Sequence, residues 1–234
     1  MKILMSCFVP FGGDSVNASQ LAVEGCRAPE GAELCKITVP VVFGEAVDFV
    51  CRAIDEERPD VVICVGEAGG RKAVTPERVG INVMDARIPD NAGYQPVDVK
   101  IAPDGPDAYF STLPIKEMVA AMNAEGFEAA VSNTAGTFVC NDLMYGVLHY
   151  LNTGYCAGDG CGSGAGRFRP IAGFIHVPAD RPDADRPDAD RPDADKPDAD
   201  RPDADRPTTA EDGSLTPVPS TSADALTAAL KALI

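Results

Sequence analysis

Val61-Val62-Ile63-Cys64-Val65 leaves few options for the fold. Five apolar residues without a polar break have the length of one strand, and such a strand has to be covered on both faces. That requires a sheet with helices packed on each side. The rest of the first 178 residues supplies the parts. Lys2–Phe8 predicts a first strand, and Glu33–Phe43, with β-branched Ile37, Thr38, Val39, Val41 and Val42, a second. A helix is expected from about Ala18, capped by Asn17 or Ser19. Ala46, Val47, Val50, Cys51 and Ile54 recur at helical spacing between Gly44 and Arg58, and Pro59 stops them. Leu113–Glu125 and Phe138–Leu151 read as helices, Phe127–Val131 and Ile171–Val177 as strands, and residues 75–95 as an extended arm or strands on the sheet rim.

Strands alternating with helices predict an α/β fold: one domain over residues 1–178, a twisted, mostly parallel sheet with helices on both faces. A glycine-rich loop interrupts it at 154–169. Beyond it, residues 179–218 hold a period-five repeat, Asp-Arg-Pro-Asp-Ala, in which proline at every fifth position forbids a regular helix and almost nothing apolar can be buried. That segment is expected to be disordered and extended. Residues 219–234 return to helical spacing, with Leu226, Ala229, Leu230 and Leu233 on one face to pack on the domain.

The formal net charge of −16 argues against non-specific nucleic-acid binding and against attachment to anionic membranes. The apolar start, Met1 to Cys7, meets Pro10 and Gly12-Gly13 too soon for a signal-peptide core, and no stretch approaches a transmembrane span. A soluble cytoplasmic protein is the expectation. The eight cysteines fit it, because several sit inside apolar stretches as reduced thiols. No CxxC pair occurs, and Cys156 and Cys161 have no histidine near them, so no metal site is expected. Gly66-Glu67-Ala68-Gly69-Gly70-Arg71 follows the Val61 strand without the Gly-Lys-Ser/Thr closure of a phosphate loop, which disfavours a phosphate-handling enzyme.

In open α/β sheets ligands sit beyond the carboxyl ends of strands, and the polar chemistry of this chain gathers there. Cys140 opens a helix, where unpaired backbone N–H groups favour thiolate. Its spacing to Leu143, Met144, Val147 and Leu148 also puts it on the apolar face, where inert cysteines are common. A thiol nucleophile needs a base, and the chain has two histidines. His149 lies nine residues along the same helix, about 13 Å away on the opposite face. His176, near a strand end, is left. For a third group Glu67, Glu77, Asp85 and Asp90 remain open.

Four stretches carry a resemblance. Phe8-x-Pro10-Phe11-Gly12-Gly13 with Asn17-x-Ser19, then Gly66-x-Ala68-Gly69-Gly70-Arg71 leading to Pro76-Glu77-Arg78-Val79-x-Ile81-Asn82 and Asp85–Asn91, then Ser132–Asn141, then Gly173–Pro178, follow in this order. Together they resemble the pyroglutamyl peptidase I (pyrrolidone carboxyl peptidase) family. The resemblance implies a cytosolic, metal-free and cofactor-free cysteine exopeptidase that removes N-terminal pyroglutamyl residues from peptides, assembled as a homo-oligomer up to a tetramer. It implies Cys140 as nucleophile, His176 as base and Glu77 as third member, with Arg87 aiding backbone N–H groups at the oxyanion. For the lactam it implies Phe8 and Phe11 around the ring, Ile88, Phe138, Val139 and Met144 beside it, and Asn17 with the backbone near Glu67 as its polar contacts. Cys7, Ala18 and Glu67 depart from the family pattern, and Glu67 puts a carboxylate where glutamine or an apolar residue is expected. The rival reading is a non-catalytic binding protein that keeps the fold while Glu67 and the repeat divert it.

Overall fold

A computed structural model describes residues 1–155, 169–179 and 221–234. The repeat and most of the glycine-rich loop, including Cys156 and Cys161, lie outside the described residues. Along the chain come β1 (Lys2–Phe8), α1 (Ala18–Gly25), β2 (Glu33–Val39), α2 (Glu45–Glu57), β3 (Val61–Ala68), β4 (Thr75–Pro76), β5 (Val79–Ile81), β6 (Ala108–Phe110), α3 (Ile115–Ala124), α4 (Val139–Thr153), β7 (Ile171–Pro178) and α5 (Ser222–Leu230). The main sheet has the order β2-β1-β3-β7-β4, parallel except that β4 runs against β7. β5 and β6 form a separate antiparallel pair. The chain is thus an α/β protein with a mostly parallel sheet between helices.

Strand alternation assigns every side chain of β1, β3 and β7 to one of two cores. Ile3, Met5 and Cys7 join Val61, Ile63, Val65, Ile175 and Val177 on the face covered by α1, α3 and α5. Leu4, Phe8, Val62, Cys64, Ala172 and Phe174 point the other way, under α2 and α4. Burying one such aliphatic or aromatic side chain contributes about 1.5–3 kcal/mol. By the same parity Gly66 and His176 belong to the α4 face, while Glu67 turns toward α1.

Two expected strands end differently. The second stops at Val39, because Pro40 has no N–H to continue the ladder. Residues 127–131 form no strand, only bridges from Val74 to Ala129 and from Glu77 to Ser132. Val74 N–H donates to Glu128 O, Ala130 N–H to Val74 O and Ser132 N–H to Pro76 O, but Pro76 can donate nothing back. Among the described residues no helix is long and apolar enough to cross a membrane.

Candidate active site

Three segments converge where β3, β7 and β4 end. β3 and β7 place Gly66 and His176 side by side in parallel register. β4 pairs Thr75 with His176, and Glu77 N–H donates to Phe174 O at 2.8 Å, which brings the Glu77 side chain to the imidazole. From above, α4 delivers Cys140 in its first turn. Its Sγ lies 3.0 Å from where a Cβ on Gly66 would stand, a position that Phe174 also crowds. Gly66 is therefore required by contact, since any side chain would displace the thiol.

Glu77 is fully buried. Its Oε1 accepts from His176 Nδ1 at 2.7 Å and from Arg71 Nη1 at 2.6 Å. Its Oε2 is buried with no hydrogen-bond partner among the described residues; the nearby Ser132 hydroxyl donates to Thr134 O instead. Burial alone would push this carboxyl up, but the His176 bond, the His176 charge and Arg71 outweigh it and hold Glu77 ionised. A carboxylate on Nδ1 fixes the proton there and leaves the lone pair on Nε2. Burial pulls His176 down, against the hydrogen bond and charge of Glu77, so the ring rests neutral.

The thiol behaves differently from the sequence expectation. Burial first, then the Glu77 charge, push Cys140 up to about 12, with Arg71 opposing. Cys140 starts a helix as expected, yet desolvation exceeds what the helix end supplies, which is typically 0.3–1 kcal/mol. Although Cys140 is half-buried and open to the cavity, its apolar and acidic surroundings favour the thiol over the thiolate, beside a neutral imidazole.

In front of this group opens a cavity of about 490 Å³. Cys140 and His176 reach it, as do Phe8, Phe11, Ile88, Phe138 and Val139. Phe11 packs on Phe138 with ring centroids 5.3 Å apart, and Phe138 meets Phe43 edge-on at 5.2 Å, so one wall is aromatic. Asn17, Glu67 and Arg87 also line it. Met144 does not; it is buried beneath, against Gly80. The polar pair is largely engaged within the protein. Asn17 caps α1, with Oδ1 accepting from Ser19 N–H at 3.0 Å and Ser19 Oγ at 2.6 Å, and Nδ2 donating to Val9 O at 3.2 Å. Glu67 Oε2 accepts from Ala18 N–H at 2.7 Å, at the positive end of the same helix. The carboxylate that departs from the family pattern thus ties the end of β3 to α1.

Of the other candidates, Asp85 lines the mouth and Asp90 is a buried turn residue, accepting from Phe43, Ala92 and Tyr94 N–H groups. His149 lies elsewhere, bonded through Nδ1 to Tyr109 Oη at 3.1 Å and stacked on Tyr145. Sequence reasoning missed Arg71. Its signal was its place at the end of the Gly66–Arg71 motif, six residues before Glu77, to which no role was attached.

A neutral cysteine, a carboxylate-oriented histidine and an apolar cleft at the carboxyl edge of a parallel sheet are the equipment of a cysteine-type hydrolase. The chain belongs to the pyroglutamyl peptidase family, whose sequence model matches residues 1–192. It is 50% identical to the pyrrolidone-carboxylate peptidase of Streptomyces coelicolor over 179 residues, 76% of this chain and 77% of that one. Against pyrrolidone-carboxylate peptidase 1 of Caldanaerobacter subterraneus the identity is 48%, covering 76% and 82%. Among solved structures, pyroglutamyl peptidase I from Bacillus amyloliquefaciens superposes with a TM-score of 0.68 at 45% identity, covering 76% of this chain and 80% of that one. A pyrrolidone carboxyl peptidase variant from Pyrococcus furiosus gives 0.67 at 39% identity, covering 76% and 81%.

Proposed function

We propose that this chain hydrolyses the amide bond after an N-terminal pyroglutamyl residue, with Cys140 as nucleophile, His176 as base and Glu77 as the group that orients it. The observation that carries this is the Glu77–His176 bond beside a thiol seated over Gly66, within a chain of this family. A five-membered lactam is flat and uncharged, and the Phe11–Phe138 wall suits its ring.

Because the thiol rests neutral, proton transfer accompanies attack. His176 Nε2 takes the Sγ proton as sulfur bonds to the pyroglutamyl carbonyl carbon, and Glu77 stabilises the imidazolium. No side chain caps α4, so the N–H groups of its first turn are available to the developing oxyanion, with Arg87 at the pocket rim. Collapse breaks the C–N bond, the leaving nitrogen takes the proton from His176, and a thioester remains. Water then gives a proton to His176 and attacks the thioester carbon. The S–C bond breaks, pyroglutamate leaves, and the proton returns to Sγ.

Six free thiols among the described residues support action in a reducing compartment, the cytoplasm. Pyroglutamyl peptides are the partners, and assembly into a homo-oligomer follows the family pattern. Hydrolysis of a fluorogenic pyroglutamyl amide tests the reading. Cys140→Ser should lower kcat/KM by roughly 10⁴-fold or more with unchanged folding. Wild-type rates in that variant would refute the nucleophile. Absence of hydrolysis by the intact chain would refute the activity and favour the binding-protein reading.

A further inference from the structure

Arg71 stands at the centre of the site without touching the cavity. Its Nη1 donates to Glu77 Oε1 and to Thr75 Oγ1, both at 2.6 Å, and its Nη2 donates to Thr134 O at 3.0 Å. The first contact puts a permanent positive charge on the same oxygen that holds His176 Nδ1. The second fixes the short strand that carries Glu77. The third reaches the turn 132–137, which runs into α4 and Cys140. One planar side chain therefore ties the segment of Glu77 to the turn that leads to Cys140, and reaches His176 through the shared Glu77 oxygen; lysine could not make this fork.

We infer that Arg71 is a further positioning residue for the proposed hydrolysis: its guanidinium neutralises Glu77, holds that carboxylate on His176 and anchors the turn that delivers Cys140. The inference rests on the reading of Cys140, His176 and Glu77 given above. Without the guanidinium, Glu77 would be a buried carboxylate whose only cation is the imidazole. The His176–Glu77 pair would then hold its proton to higher pH, and an imidazolium cannot accept the thiol proton. Arg71 adds to burial in keeping the imidazole neutral against the pull of Glu77. The direction of its influence on each partner agrees, since Arg71 lowers His176, Glu77 and Cys140 alike.

The other charged or titratable groups facing His176 do not offer the same service. Glu67 and Cys64 come from β3, Cys140 from α4, and Asp14, Asp85 and Arg87 from the cavity rim. The acidic ones act in the opposite sense, and Arg87 is exposed to solvent, where its field is screened. Arg71 is the cation bonded to the Glu77–His176 pair.

The chain has only two histidines, so imidazole NMR titration can follow His176 directly, with His149→Gln identifying the second set of signals. The titration is run in a Cys140→Ala background, without substrate. In Arg71→Met, His176 should titrate about one pH unit higher than with Arg71 intact. In Arg71→Lys, which restores charge but not the fork, it should return most of the way. With Cys140 present, the acid limb of kcat/KM should move to higher pH in Arg71→Met. At pH 7 its kcat/KM should fall by on the order of 10–100-fold, mostly in kcat. Arg71→Lys should keep the wild-type limb yet remain slow. If Arg71→Met does not fold, Arg71→Gln, a shorter neutral donor, carries the same measurement. An unshifted His176 titration in a folded neutral variant overturns the inference, as does an equal shift in Arg71→Lys. A shift in a chain whose parent hydrolyses no pyroglutamyl amide would instead refute the proposed function and leave the role of Arg71 standing.

Discussion

The two faces of the central sheet are built from alternate residues of the same strands and end as different materials. Toward α1, α3 and α5 the strands present Ile3, Met5, Ile63, Val65, Ile175 and Val177, all fully buried, and the layer is closed by aliphatic packing. Toward α2 and α4 the same strands bury Leu4, Phe8, Val62, Ala172 and Phe174, but they also present Ser6, Cys64, Gly66 and His176 as they run to their carboxyl ends. The first face is packed for cohesion. On the second, a missing side chain at Gly66 and a buried ion pair open room for a thiol, and Glu77 Oε2 has no hydrogen-bond partner among the described residues. Stability and chemistry are therefore separated by one step in strand register, and substitutions one residue apart should report on different properties.

The largest effect is expected on the reactive face. Glu77→Gln removes the charge that fixes the Nδ1 proton and should lower kcat/KM by about 10⁴-fold in the pyroglutamyl amide assay. A loss under tenfold would show that His176 does not need its carboxylate. Next comes the cohesive face. Ile63→Ala should cost about 2–5 kcal/mol in urea unfolding while leaving KM near its wild-type value. If KM rose instead, the two faces would not be separable. Gly66→Ala follows, at roughly 10²-fold in kcat, because the new Cβ would meet Cys140 Sγ at 3.0 Å and Phe174 at 2.7 Å. Unfolding of this variant without a kinetic defect would mean that Phe174, not the thiol, gives way.

The smallest effect concerns Asp142, one turn into α4, buried and accepting from Gly44 N–H at 2.8 Å. Burial raises its carboxyl from 3.8 to about 6. A folded value above the unfolded one means stability is fully present at low pH and lost as pH rises toward and through 6. The loss is on the order of 2–3 kcal/mol. Asp142→Asn should flatten the fall in Tm between pH 4 and pH 8. An unchanged fall would place its cause elsewhere. A second trend opposes this one, starting below pH 6.5 for His176 and below pH 4.5 for Glu77. Glu77, held low, and His176, likewise lowered, both cost stability on acidification.

Much of this was legible in the residues. Apolar continuity at Val61–Val65 and helical spacing around Val50 and Leu148 report which surfaces must be covered, and those surfaces decide the fold class. The order of motifs singled out Cys140, His176 and Glu77, which converge on one edge of the sheet. What sequence reading missed depends on three-dimensional quantities. The protonation state of Cys140 is set by how deeply it is desolvated, and helical position carries no measure of depth. Helical spacing marked Met144 as buried, which it is; its place beside the lactam came only from the resemblance, and in the fold it lies beneath the cavity against Gly80. The carboxylate of Glu67 looked misplaced until strand parity turned it toward Ala18. Arg71 has no periodic signature, because its partners Thr75, Glu77 and Thr134 are joined only by the fold.

One feature of the cohesive face reaches further. α5 is the last helix, yet it buries Leu226, Ala229 and Leu230 against α1 and α3, and Ala223 approaches Gly25 so closely that a Cβ there would stand 2.8 Å away. Its grip is non-covalent and lies on the opposite side of the sheet from the thiol. A protease that cut the backbone before Thr221 would leave α5 seated as a noncovalent fragment. The nicked enzyme should therefore run as one species on a sizing column and separate into two only in denaturant.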